Sequence, residues 1–218
     1  WEPGVPEALR LYTIAMCDEA RGLGLRVGAM QLSVGWPANN GADTPPDWTP
    51  WHGVEDAILR GNHALVLHEY WADLGCGENW GWWAGRSLKC PWSAPIVIGE
   101  CGVDMYVKDG GVAHESRGWV GRMSPERYAA ELREYNVRMA ADSRFVGSTV
   151  FALDYANREW ASFDIASATN AILALPPVEP AGHRVHLPIV TAPVSHEDLF
   201  ARVMQFVSRW EGGYVNNP

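Results

Sequence analysis

"APIVIGECGVD", residues 94–104, is apolar without alternation through Ile96, Val97 and Ile98. A strand with one wet face alternates apolar and polar residues, whereas a strand covered on both faces is apolar throughout. These residues therefore read as an interior strand of a parallel sheet. The run then meets a carboxylate. An ionised Glu100 is costly to bury, which places it at the open end of the strand. Gly99 and Gly102 flank it, and glycine lets a backbone bend or a ligand come close. Such a residue either faces water or an arginine, or it lines a site. This stretch alone leaves both open.

Outward from this strand, helix and strand alternate. Residues 6–22 carry Leu9, Tyr12, Ile14, Ala15 and Met16 at helical spacing, with Pro6 suited to the first turn and Gly22 or Gly24 to the end. Residues 25–35 read as a strand, 51–62 as a helix and 63–71 as a strand. A long loop rich in Gly and Trp follows, holding a short helix near 81–88, before the strand at 95–100. The helix over 124–142 opens with Ser124 as N-cap, Pro125 at its first position and Glu126 in the first turn, where the helix dipole favours a negative charge. A fourth strand at 145–155 and a short helix at 167–175 close the pattern. This order implies a parallel α/β sheet, doubly wound or barrel. No G-x-G-x-x-G follows any strand, which weakens a nucleotide-binding doubly wound fold.

Composition excludes several partners. The net charge of −9 would repel nucleic acid phosphates. No run of eighteen apolar residues exists to span a membrane. Cys17, Cys76, Cys90 and Cys101 show no C-x-x-C spacing, so neither a metal nor a cofactor is expected. Cys76 and Cys90 bracket one loop and are either bridged or free, which leaves the compartment open. Twelve tryptophans are a large excess for 218 residues. Trp36, Trp48 and Trp51 follow the first expected strand, Trp71, Trp80, Trp82, Trp83 and Trp92 the second, Trp119 the third and Trp160 the fourth, while Trp1 precedes the first helix. In a parallel α/β sheet the loops after the strands share one rim, where active sites are built. Aromatic faces there suit stacking on sugar rings. Small loop cores are the competing use of the same residues.

The chain opens with "WEP", so Glu2 stands as a second candidate rim carboxylate beside Glu100. Two such carboxylates with no metal pattern suggest glycoside hydrolysis. Residues 1–166 resemble the second half of a retaining (β/α)8 glycoside hydrolase of clan A. That clan places its acid/base Glu in an "N-E-P" type motif ending strand four. Its nucleophile ends strand seven after a hydrophobic run, as in "IVIGE", and "HEYW" at 68–71 is similar to its strand-six pattern. The resemblance implies Glu2 as acid/base, Glu100 as nucleophile, His68 and Tyr70 around them, and Trp160 as the floor beside the scissile bond, while Trp36 and Trp71 are expected to bind substrate from their place on the tryptophan rim. Trp1 stands where the family carries Asn, which removes that family's usual contact to the sugar's second position. His68 and Tyr70 are two apart and share one strand face, with Tyr70 able to donate to Glu100, while Glu69 points to the other. Ordinary polar packing at a strand end is the alternative for both. The resemblance leaves strands one to four unaccounted for, so the chain is expected to be part of a longer protein or half of a homodimer completing a barrel. A non-catalytic carbohydrate-binding barrel module with a tryptophan rim is the runner-up.

Residues 1–175 are thus read as the partial barrel. Residues 176–194 hold five prolines and no helical period, a linker. Residues 195–218 resume helical spacing through Leu199, Val203, Phe206 and Val207, with Ser195 and Asp198 forming the cap. The ending "VMQFVSRWEGGYVNNP" resembles the start of a family 108 muramidase, a phage-type lysin, and that resemblance implies Glu211 as the counterpart of its catalytic Glu. Together the two resemblances imply a polysaccharide substrate, peptidoglycan or a polysaccharide coat.

Overall fold

The structure is a computed structural model; it describes residues 5–37, 44–72, 75–78, 80–81, 83–106, 116–153, 158–178, 197–198, 200–201 and 203–204. The helices are α1 (Val5–Gly22), α2 (Val54–Gly61), α3 (Pro125–Met139) and α4 (Thr169–Leu173). The strands are β1 (Gly28–Leu32), β2 (Ala64–Trp71), β3 (Ile96–Val103), β4 (Met105–Tyr106), β5 (Ser116–Arg117) and β6 (Phe145–Val150). Four strands form one sheet in the order β1-β2-β3-β6, with β2–β3 and β3–β6 parallel, and β4–β5 form a separate antiparallel pair. The class is α/β, as the two-sided apolar strands imply. The chain divides into two compact units, residues 1–29, 49–64 and 186–218 in one and residues 30–48 and 65–185 in the other.

In the first unit α1 and α2 pack together. Ile14 of α1 lies against Gly53, which precedes α2, and Arg60 pairs with Asp18 at 3.1 Å. Asn62 ends α2 in the left-handed conformation (φ 53°) and returns its N–H to Ile58 and Leu59. His63 is buried and uses both ring nitrogens. Its Nδ1 accepts from the Val27 N–H (3.2 Å), so Nε2 carries the proton donated to the Cys17 carbonyl (2.9 Å).

In the second unit Leu65, Leu67, Ile96 and Ile98 are almost fully buried in the sheet. Burying each such side chain stabilises by about 1.5–3 kcal/mol. α3 buries Tyr128, Ala129, Leu132, Tyr135 and Met139, one face at helical spacing. Ser124 caps it by accepting from the Arg127 N–H at 3.2 Å, with Pro125 at its start. Tyr135 stacks on Trp71 (4.7 Å, 22°) and Tyr128 on Trp119 (4.6 Å, 5°). Arg144 ties the loop after β2 to the start of β6 through the carbonyls of Leu88 (3.0 Å), Cys90 (2.7 Å) and Trp92 (2.5 Å).

Several expectations change. β1 is far shorter than 25–35, because the Leu25 N–H still bonds the Ala20 carbonyl at the end of α1 (2.8 Å) and the Trp36 N–H turns back to the Ser33 carbonyl (3.2 Å). In place of a helix near 81–88 there is a single 3-10 turn at Arg86–Lys89, since Gly81 (φ 82°) and Gly85 (φ 70°) leave helical space. β6 stops at Val150 because the Ala152 N–H turns to the Phe163 carbonyl (3.2 Å). β3 runs on to Val103, so Glu100 sits inside the strand and not at its end. All four cysteines are free and buried, which excludes the Cys76–Cys90 bridge. The tryptophans do not form one open rim. Trp48, Trp51, Trp71, Trp92 and Trp119 are buried, whereas Trp36, Trp80, Trp83 and Trp160 are half-buried. Among the described residues no helix is long and apolar enough to cross a membrane.

Candidate active site

β2 and β3 create the site through their side-chain parity. From Leu67 onward β2 alternates, with Glu69 and Trp71 buried and His68 and Tyr70 half-buried on the other face. Leu67 pairs with Ile98, but the next pair is His68 with Glu100. One residue, Gly99, is thus extra on β3, a β-bulge. Without it Glu69 would face Glu100, and Glu100 would share the buried face. The bulge instead delivers Glu100 to the face of His68 and Tyr70. Gly99 suits this place because a Cβ there would lie 2.8 Å from Val66 Cγ1 and 3.3 Å from His68 Nε2.

The delivered carboxylate is held on one oxygen. The Tyr70 hydroxyl donates to Glu100 Oε2 at 2.7 Å, and His68 Nδ1 lies 3.3 Å from that same atom. Burial, then the hydrogen bond and charge of Glu100, push the Tyr70 phenol far above its ordinary value. The proton therefore stays on Tyr70, which donates at every relevant pH. Among the described residues Oε1 takes no partner. The Glu100 side chain is 36 % exposed, enough to be reached from solvent.

An aromatic wall adjoins Tyr70. Phe151 and Phe163 meet its ring edge-on at 6.5 and 6.4 Å, and half-buried Trp160 contacts both at 5.8 and 5.6 Å. Sequence reasoning reached Trp160 but missed Phe151 and Phe163. Neither belongs to a motif, and only their packing reveals them.

The remaining candidates fall elsewhere. Trp71 is fully buried against Tyr135 and presents no face to a ligand, a correction to its expected place on the rim. A ring needed to complete the α3 layer cannot also stack on a sugar. Trp36 is half-buried in the turn after β1, its N–H on the Ser33 carbonyl (3.2 Å). Glu2 and Glu211 lie outside the described residues, as do Leu199, Phe206 and Val207. Glu69, across β2, is fully buried and accepts from the N–H groups of Gly85 (2.6 Å) and Ser87 (2.7 Å) and from the Tyr135 hydroxyl (2.8 Å). Burial pushes its carboxyl up and these donors pull it down, with burial prevailing. It anchors a loop. Among the described residues no cluster of three or more His, Cys, Asp or Glu is placed to hold a metal ion.

No protein-family model matches the chain, and no curated protein or solved structure matches it either.

Proposed function

We propose that this chain is part of a retaining glycoside hydrolase acting on a polysaccharide, with Glu100 as the nucleophile. One observation carries the reading: a solvent-reachable carboxylate held by Tyr70 and His68 through Oε2, whose Oε1 takes no partner among the described residues. In the first step Oε1 attacks the anomeric carbon, and the bond to the leaving oxygen breaks as that oxygen takes a proton. In the second step the donor, now deprotonated, takes a proton from water as the water oxygen attacks the same carbon and the bond to Glu100 Oε1 breaks. Trp160, in its cluster with Phe151 and Phe163, offers an apolar surface for a sugar ring. The proton donor in this reading is Glu2, by resemblance to clan A.

The same reading makes the four-stranded sheet the second half of a (β/α)8 barrel. Closure then takes four further strands, supplied by additional sequence or by a second copy of the chain. Residues 195–218 are read as the start of a muramidase-like module, which favours peptidoglycan or a polysaccharide coat as the target. The alternative, a non-catalytic binding module, leans on an open tryptophan rim, and the burial of five tryptophans weighs against it.

The test is covalent trapping. A panel of activated 2-deoxy-2-fluoro glycosides incubated with the protein should add one sugar mass, and peptide mapping should place it on Glu100. Glu100→Gln should abolish both trapping and turnover of aryl glycosides while sugar binding persists. A label on another residue, or turnover that survives Glu100→Gln, would overturn the assignment.

A further inference from the structure

The bulge that presents Glu100 is visible from both neighbouring strands. Between Leu67 and His68 β2 advances one residue while β3 advances from Ile98 to Glu100. On the other side Ile98 pairs with Ser148 and Cys101 with Val150, three steps on β3 against two on β6. A bulged residue loses its ladder partner, which leaves its backbone groups to find other partners. Thr149 answers this need: its hydroxyl donates to the Gly99 carbonyl. Ser148 and Val150 both line a pocket beside α3 on the Cys101 face. Strand alternation therefore sets Thr149 on the opposite face, with Glu100.

We propose that Thr149 is a positioning residue for Glu100. The Gly99 carbonyl belongs to the peptide bond whose nitrogen is that of Glu100, and this unit is planar. Holding the oxygen fixes the plane, and the plane fixes the direction in which the Glu100 side chain leaves the strand. Gly99 supplies the clearance under Val66 and His68, and Thr149 selects one peptide orientation among those glycine permits. The carboxylate then meets Tyr70 at 2.7 Å and His68 at 3.3 Å. The consequence for rate rests on the reading of Glu100 as the nucleophile; the consequence for geometry does not.

The experiment compares Thr149→Val, which keeps shape and removes the hydroxyl, with Thr149→Ser, which keeps the hydroxyl. Crystal structures of parent and variants would show the Gly99 peptide reoriented and the Tyr70–Glu100 hydrogen bond broken in Thr149→Val, with both restored in Thr149→Ser. On an activated aryl glycoside Thr149→Val should lose about 10- to 100-fold in kcat with KM changed by no more than about twofold, the mark of misalignment. Thr149→Ser should recover most of that loss. Should Thr149→Val fail to fold, Thr149→Ala reads the same distance. A Thr149→Val or Thr149→Ala structure that keeps the Gly99 peptide and the Tyr70 contact overturns the proposal, as does a Thr149→Ser variant as impaired as Thr149→Val. A parent that turns over no glycoside refutes the reaction while the crystallographic comparison still decides the positioning.

Discussion

Glu69 and Glu100 lie one pairing step apart on adjacent strands, and their surroundings set them to opposite tasks. Glu100 gives one oxygen to Tyr70 and His68 and keeps solvent access. Tyr70→Phe removes the one strong donor and should lower kcat on aryl glycosides by about 10- to 100-fold, the loss of a hydrogen bond to a charged group. Unchanged kinetics would show that Tyr70 does not hold Glu100 for the proposed reaction. Glu69 is sealed by three donors. Glutamine there can accept from Gly85 and Tyr135, but its NH2 would then face the Ser87 N–H. Glu69→Gln should therefore cost about 1–3 kcal/mol in chemical denaturation. The deficit should also depend on pH. The folded carboxyl titrates above its ordinary value, so its contribution is complete at acid pH and is lost as pH rises through the folded value. Parent and variant should consequently converge as pH rises from the acid side. A gap that widens with pH would mean that the donors outweigh burial.

At the scale of elements, β3 departs from a regular strand at one residue and the site depends on it. Gly99→Ala would put a Cβ at 2.8 Å from Val66 Cγ1, where Val66 is 5 % exposed and packed. The expected cost is about 1–3 kcal/mol of overpacking, read as a lower denaturation midpoint at unchanged slope. Relief by Val66→Ala in the double variant would identify that contact as the source; no relief would place the strain elsewhere. α3 shows the opposite case, an element written locally. Ser124, Pro125 and Glu126 mark its start in the sequence, and the cap forms on the Arg127 N–H. Its end at Met139, short of the expected 142, follows from Asp142, which accepts from the Arg144 N–H (2.9 Å) and turns the chain into β6.

For the molecule as a whole, the free cysteines give a direct test of packing. Burial pushes the Cys17 thiol up to about 11 and those of Cys76 and Cys101 up to about 12. A thiol reagent at pH 8 should find no fast-reacting group in the folded protein and four after denaturation without reductant. Two reactive thiols after denaturation would mean that a disulfide had formed. Fast labelling of the native protein would mean that the packing around at least one of these thiols opens readily.

The amino-acid sequence alone determined the α/β class, the start of α3 and the parity that separates His68 and Tyr70 from Glu69. Each is a local quantity. Apolar runs, capping residues and period-two alternation act over a few bonds and survive whatever packs around them. Tertiary structure decided the face of Glu100, the fate of the tryptophans, the recruitment of Phe151, Phe163 and Thr149, and the free state of Cys76 and Cys90. Register is a relation between strands: "IVIGE" read alone keeps Glu100 on the face of Ile96 and Ile98, and only pairing with β2 and β6 shows the extra residue. Burial is likewise collective. Trp71 ends β2 and Trp160 lies beyond β6, both in regions rich in aromatics, yet Tyr135 of α3 covers the first while the second stays half-buried beside Phe151.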